Sequence, residues 1–449
     1  MSENKQKFDQ LCGLVDEWRE ELGIPGTVMG ISIGDETFTY GSGVTSATNP
    51  LPMNDETLAQ IGSTTKTVTA TAMMCLVEQG KLDLNAPIRQ YLPDFKVKDE
   101  DVAAKVTVKH LITHSAGWIG DLFTDTGDGD DALAEYVRLM ENTEQLAPPD
   151  RTFSYNNAAF CIAGRIIEVV TGLVYETAIK QLIFEPLGME HAFFFPKDVM
   201  TYRFVVGHRV DEEQGPIVQR PWPIPRSSNP AGGIVCDIKN LLTYGRYHLG
   251  DGSPMLSQES FDLMHSPHFP INDQDGSMGL AWFVGDVAGT KTLQHGGSTF
   301  GQQTQLLLVP EHDFVFGAMT NADSGTKLND KIEKWALKEF LGLEEAEPET
   351  IDASPEELAP YVGLYSRPAM DTEIRLEDGQ VIMQITSKDV LDTEDKAPQP
   401  PPATMKLCGK DQMVVIDGMF KDLRVEFLRD DEGNIDYLRL GLRINPRVN

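Results

Sequence analysis

Ser63 and Lys66 stand three positions apart in the stretch Ile61-Gly62-Ser63-Thr64-Thr65-Lys66, just ahead of the run from Thr67 to Met74. Residues at that spacing share one face of a helix. A hydroxyl beside an amine makes a candidate nucleophile and base, because a serine needs a partner to take its proton. The lysine would have to shed its own proton near neutrality, which burial or a neighbouring cation favours. Alone, the pair also describes a helix N-cap followed by a solvated lysine. Its meaning depends on what else the chain supplies.

Two further stretches follow in order: Tyr155-Asn156-Asn157, and His295-Gly296-Gly297-Ser298. A phenol near a cation can hold its ionised form at a lower pH than a free one, so Tyr155 and Lys66 can share proton transfer. Asn157 offers an amide that can hold both the lysine and a substrate amide. Gly296 and Gly297 let a substrate backbone lie against a strand.

With these three elements in place the chain resembles the serine β-lactamase and penicillin-binding-protein group. The Tyr-x-Asn and His-x-Gly forms are similar to those of class C β-lactamases, D-aminopeptidases and related carboxylesterases. Val108-Lys109-His110-Leu111-Ile112-Thr113-His114-Ser115-Ala116-Gly117 and Glu185-Pro186-Leu187-Gly188-Met189 resemble phrases of the same group, and the likeness spans roughly residues 8 to 342. The resemblance implies an acyl-enzyme on Ser63 and an oxyanion hole from the backbone N–H groups of Ser63 and Ser298. Many relatives carry lysine where His295 stands. A histidine, only partly charged near neutrality, weakens recognition of a β-lactam carboxylate and permits a role in tuning Tyr155 or assisting proton transfer. Glu168 falls inside an apolar helix and reads as structural, so no glutamate stands out for deacylation.

The elements that must position these groups are legible as pattern. Phe8, Leu11, Cys12, Val15, Trp18 and Leu22 recur at helical spacing, and Thr27 to Ile33 and Thr37 to Gly43 read as a hairpin across Gly34-Asp35. The Ser63 helix is expected to run to Gln79 and stop at Gly80. Phe160, Ile162, Ala163, Ile166, Ile167 and Val170 mark another helix, closed by Gly172. Asp121 to Asp131 reads as an acidic surface loop, without the ligand spacing of a calcium loop. Arg203 to Gly233, rich in Pro, Gly and Trp, reads as a wall or lid over a site. Met278 to Asp286, Thr290 to His295, Gln303 to Val309 and Phe314 to Thr320 are strand-like, and Leu328, Ile332, Trp335 and Phe340 line a final helix. Strands at both ends with helices between predict an α/β domain. Its antiparallel sheet would be assembled from both ends, with an inserted helical layer on one face and terminal helices on the other.

The expected domains are residues 1–345 and 355–449, joined by the charged linker Glu344 to Glu349. In the second, Val362 to Tyr365, Glu373 to Leu376, Val381 to Ile385, Met405 to Cys408, Met413 to Ile416, Leu423 to Leu428 and Ile435 to Leu442 are short strands, with Gln399-Pro400-Pro401-Pro402 a bend or spacer. That spacing predicts a small closed or nearly closed β-barrel, and the tail resembles the lipocalin-like barrel attached to some peptidases of the group.

Composition narrows the function. A chain of 449 residues with 41% hydrophobic content and a net charge of −31 is globular, and too acidic to seek a nucleic-acid backbone or an anionic membrane. Neither a signal peptide nor a membrane-spanning run is visible. Cys12, Cys75, Cys161, Cys236 and Cys408 read as small hydrophobes of a reduced compartment, so the expected location is cytoplasmic. No Gly-x-x-x-x-Gly-Lys or His-Glu-x-x-His element occurs, and neither cofactor nor metal is expected. His110 and His114 read as hydrogen-bonded packing residues; Trp118 and Trp222 fit either a pocket wall or the core. The expected activity is a peptidase or amidase on small peptides, with a D-amino acid at the cleavage side as one form. Carboxylesterase and β-lactamase activity are the alternatives within the resemblance, and a non-catalytic ligand-binding protein is the alternative outside it. The expected partner is a small molecule or short peptide, and homo-oligomerisation stays open.

Overall fold

The computed structural model describes residues 2–211, 213–272, 276–346, 349–368, 370–388 and 399–448. Part of the expected linker, residues 347 and 348, lies outside them. The described chain packs as two units: Met1–Gln145 with Asn156–Glu345, and Leu146–Tyr155 with Ala346–Asn449.

The first unit is built on an eight-stranded antiparallel sheet. Its strands are β1 (Gly26–Ile33), β2 (Glu36–Gly43), β3 (Phe269–Asn272), β4 (Gly276–Met278), β5 (Phe283–Val287), β6 (Thr290–Thr299), β7 (Gln302–Val309) and β8 (Phe314–Thr320), in the order β2-β1-β8-β7-β6-β5-β4-β3. The β1–β8 pairing, Thr27 to Thr320 through Ile33 to Phe314, joins the start of the chain to its later part. Both faces of the central strands are apolar, and alternation decides which layer each residue meets. Met29, Ile31, Leu307, Phe314 and Phe316 pack with Phe8, Leu11 and Val15 of helix α1 (Glu3–Glu21) and with Leu328 and Ile332 of the last helix, Gly325–Ala336. Val28, Leu306, Leu308 and Val315 face the opposite way, into the larger helical core. The terminal helices and the inserted layer thus lie on opposite faces, as the element order predicts.

Two helices of the inserted layer carry the site. Helix α2 (Thr65–Glu78) follows a single 3-10 turn, Gly62–Thr64, and is buried along nearly its whole length despite four threonines. Each hydroxyl is satisfied: Thr67 and Thr71 donate back to Thr64 and Thr67 carbonyls, Thr69 donates to Pro230 O at 2.7 Å, and Thr65 Oγ1 accepts from Ile234 N–H. Helix α3 (Asn157–Thr171) begins at Asn156, whose side chain accepts from Ala159 N–H, and ends at Gly172 in the left-handed region, φ +72°. The stretch from Arg203 to Gly233 is more ordered than a lid. It holds a small hairpin (His208–Asp211, Gly215–Val218) and a short helix, Asn229–Gly232, buried against α2 and α3. Two sequence expectations change. Met278 to Asp286 divides, because Gly279-Leu280-Ala281-Trp282 turns inward with Ala281 at φ +64° and Trp282 fully buried. Strand β6 runs on through Gly296 and Gly297 to Thr299, held by β7 across the register His295–Leu306 to Thr299–Gln302.

The second unit is a closed eight-stranded antiparallel barrel, Gly363–Arg367, Met370–Glu377, Gln380–Ser387, Ala403–Gly409, Gln412–Val415, Arg424–Arg429, Ile435–Leu440 and Arg443–Val448. The sequence expectation carries its last strand from Ile435 to Leu442, apolar at alternate positions, and assigns no strand to Arg443–Val448. Gly441 and Leu442, both at positive φ, end the seventh strand at Leu440 and turn the chain back into the eighth. Tyr365, Met383, Met405, Phe427 and Leu438 fill the interior. Residues Leu146–Tyr155 strap this barrel: Tyr437 Oη donates to Leu146 O, Arg439 to Thr152 Oγ1 at 2.6 Å, Ile444 N–H to Ser154 Oγ and Tyr155 N–H to Leu442 O at 2.8 Å.

Gly164 of α3 faces Pro230 so closely that an added Cβ would lie 2.2 Å from the ring. Gly164→Ala therefore overpacks the seam that holds the 229–232 helix in place, and should destabilise the unit by about 1–3 kcal/mol. A fall of several degrees in the thermal midpoint checks this, and an unchanged midpoint would show that the seam yields freely.

Candidate active site

Ser63 lies in the 3-10 turn and is half-buried, while Lys66, on the first turn of α2, is fully buried. Lys66 Nζ lies 3.0 Å from Ser63 Oγ and donates to the Ala231 carbonyl at 2.7 Å. It also sits 5.5 Å from the centre of the Phe160 ring on α3. The sequence pair is thus a contact, and the solvated-lysine reading fails. Ala231 O could not be found from sequence, since any residue supplies a carbonyl.

The turn bearing Ser63 is pressed against β6. A Cβ added to Gly297 would fall 1.9 Å from Ile61 O and 3.0 Å from Ser63 N, and one added to Gly62, at φ +50°, would fall 2.6 Å from Ser298 N. Only two glycines allow backbones to approach so closely. The seam is pinned by Thr64 Oγ1 donating to His295 O at 3.1 Å, Gln60 N–H to Gln302 Oε1 at 2.9 Å and Thr304 Oγ1 to Gln60 O at 3.3 Å. The backbone at Ser298 is thereby held against the turn that carries Ser63.

His295 departs from the expectation of partial charge. It is 2% exposed, and burial first, then the charge of Lys66, push its pKa down to about 3. It is a neutral imidazole. Its Nδ1 donates to Gly296 O at 2.6 Å, which leaves Nε2 as the accepting nitrogen. Phe283 packs on the ring at 5.3 Å between centres.

Asn157 stands in the first turn of α3, one turn from Phe160. Its Nδ2 donates to Asp121 Oδ1 at 2.8 Å, a partner the sequence pattern left in an undistinguished acidic loop. Tyr155 is buried and belongs to the barrel strap, one residue before the α3 N-cap; the Arg443 guanidinium lies 4.9 Å from the centre of its ring. His110 and His114 are packing residues as expected. His110 Nδ1 accepts from Thr107 N–H, and His114 Nδ1 accepts from Asn156 N–H at 2.8 Å, which also fixes the entry into α3. Trp118 is core, whereas Trp222 lines a cavity of about 420 Å³ with Arg203 and Arg220. Glu168 pairs with Arg165 and accepts from Tyr175 N–H, a structural role. The five cysteines are free thiols.

A Beta-lactamase family model matches residues 11–338, and the chain belongs to that family of serine hydrolases. It is a hydrolase. It is 31% identical to "Penicillin-binding protein 4" of Amycolatopsis lactamdurans over 379 residues, 81% of this chain and 97% of the relative. Among solved structures, SurE with D-Leu superposes with a TM-score of 0.79 at 22% identity over 99% of this chain and 100% of that one. The D-amino acid amidase from Ochrobactrum anthropi SV3, complexed with L-phenylalanine amide, gives 0.63 at 21% identity over 73% and 98%. Among the described residues no single helix is long and apolar enough to cross a membrane.

Gly297→Ala should force the Ser63 turn off β6 and lower the turnover number by roughly 10²–10³, the usual cost of one misplaced oxyanion donor. Steady-state rates beside an unchanged circular dichroism spectrum check it. A second expectation concerns pH. Below about 6.5 the unfolded chain takes up a proton that folded His295 refuses until about pH 3, so stability rises with pH across that window. His295→Gln should flatten the slope of unfolding free energy against pH by up to about 1.4 kcal/mol per unit, read from urea midpoints. An unaltered slope would contradict a neutral His295.

Proposed function

We propose that the chain is a Ser63-dependent amidase or peptidase acting on amino-acid amides and short peptides through an acyl-enzyme. The observation that carries this is Lys66 Nζ, fully buried and 3.0 Å from Ser63 Oγ. An amine in that place can take the hydroxyl proton as Oγ attacks a carbonyl carbon. Tyr155 shares the proton with Lys66 and returns it to the leaving amine, so that the C–N bond breaks as the ester to Ser63 forms. The N–H groups of Ser63 and Ser298 hold the oxyanion, and Gly296 and Gly297 leave the strand open to the substrate backbone. Water then repeats the sequence to release the acid. Asn157 holds a substrate amide from the α3 side.

Neutral His295 supports amides over β-lactams, since it supplies no fixed cation for a ring carboxylate. The structural likeness to a D-amino acid amidase and to a protein solved with D-Leu supports a D-amino acid at the cleavage side. Ester cleavage follows from the same chemistry and an easier leaving group. A cytoplasmic location belongs to the same reading, supported by free thiols at all five cysteines.

The test is turnover of D- and L-aminoacyl anilides, short-chain p-nitrophenyl esters and a chromogenic cephalosporin, each against Ser63→Ala. Aminoacyl release is expected, at least about 10³-fold reduced in the variant, together with a covalent mass gain on Ser63 when the reaction is quenched. Turnover of esters alone would make the chain a carboxylesterase. Activity that survives Ser63→Ala would overturn the mechanism, and no covalent adduct with any acylating probe would make it a binding protein.

A further inference from the structure

We propose that the cavity beside Trp222 is an accessory binding site for a small aromatic acid in its anionic form, a ring carrying a carboxylate or a phosphate. None of Ser63, Lys66, Tyr155 and His295 lines this cavity, and its occupancy does not depend on turnover at Ser63.

The cavity holds about 420 Å³, room for one ring with its substituents. Arg203 and Arg220 line it, and among the described residues no aspartate or glutamate does. The chain has 69 acidic residues against 38 lysines and arginines, so such a lining opposes the bulk composition. Arg203 is half-buried and set in place: its carbonyl accepts from Leu58 N–H at 2.8 Å, and its Nη1 donates to Pro52 O at 2.6 Å. Arg220 is exposed, and among the described residues no hydrogen bond or ion pair engages its guanidinium. Other arginines of this unit, Arg89, Arg226 and Arg246, are paired with carboxylates. A guanidinium that faces a cavity without such a partner is matched to an oxyanion from outside, which it can hold by two parallel N–H bonds. The side-chain amides of Asn49 and Gln219, also in the lining, add neutral donors.

Two rings define the body of the ligand. Trp222 and Phe204 both line the cavity and meet edge to face, with centres 5.9 Å apart. Trp222 Nε1 donates to Val205 O at 2.7 Å, and its carbonyl accepts from Gln60 Nε2 at 2.6 Å, so the indole is held in one orientation. A bare inorganic anion would satisfy the arginines and leave these rings to water, whereas a ring attached to the anion covers them. An ammonium group would be set beside two guanidiniums. The net charge of −31 repels anions from afar, but salt screens it beyond roughly 10 Å at 0.1 M ionic strength, and inside that range the arginines decide.

Fluorine NMR titration of the full chain tests this with p-trifluoromethylbenzoate, p-trifluoromethylphenyl phosphate, p-trifluoromethylbenzamide and p-trifluoromethylbenzylamine. At least one of the two anions should bind about 10- to 100-fold more tightly than the neutral amide, the range of hydrogen bonds to a charged group, and the benzylamine should bind no better than the amide. The tighter anion names the oxyanion. Arg220→Gln should weaken it by about threefold and Arg203→Gln by about tenfold, with the amide unchanged in both. Arg220 has no partner in the fold to lose, so its variant reads the site even where Arg203→Gln loosens the Pro52 contact. Anion and amide of equal affinity, anion binding unmoved by both variants, or no saturation by either anion below about 10 mM would overturn the proposal. Acetate or inorganic phosphate competing as well as the aromatic anions would overturn it too, because the rings would then contribute nothing.

Discussion

The structure of the first unit turns on a lysine that water does not reach. A buried amine must find its partners within the protein or lose more free energy than a domain can spare. Lys66 finds them in the Ala231 carbonyl, the Ser63 hydroxyl and the face of Phe160. Each contact fixes one neighbour of α2. The carbonyl requires the Asn229–Gly232 helix to lie against α2, the ring requires α3 to cross beside it, and the hydroxyl requires the chain to enter through a 3-10 turn. The row of buried threonines on α2 follows from the same packing, since a helix enclosed on all sides needs small side chains, and hydroxyls that bond to its own carbonyls and its neighbours are tolerated there.

A second constraint is steric. The Ser63 turn and β6 approach until no Cβ fits at Gly62 or Gly297. That approach holds the Ser63 turn against the backbone at Ser298, and the antiparallel ladder from β6 through β7, β8 and β1 gives it rigidity. Gln60, Thr64 and Thr304 tie the seam by hydrogen bonds between side chain and backbone, so the geometry does not rest on the reacting groups themselves. Preorganisation of this kind is what makes a dipole useful in a transition state.

How much of this was legible follows from what sequence can carry. The central strands announce themselves because both faces are buried and β-branched or aromatic, and Ser63, Lys66, Tyr155, Asn157 and His295 stand out as residue types able to do chemistry. Pattern failed where backbone conformation decides: Gly296 and Gly297 look like a strand end yet lie within β6, and Gly441-Leu442 and Ala281 reverse the chain at positive φ amid apolar residues. Ala231 was invisible because its contribution is a carbonyl. Asp121 was visible but indistinguishable from its acidic neighbours, since its partner Asn157 lies far along the chain. The ionisation state of His295 was likewise out of reach, being a property of burial and of the distance to Lys66.

These electrostatic details point the same way. At the β6 side stands a neutral imidazole where a fixed cation would draw a carboxylate. Lys66 is enclosed and already partnered. Neither offers an anion a free charge to pair with, whatever its leaving group. The chain's net charge of −31 acts in the same sense at longer range, although salt confines that effect to roughly 10 Å at 0.1 M ionic strength. The charge of the β6 side is thus set by the burial of His295, while the Ser63–Lys66 contact stays as it is.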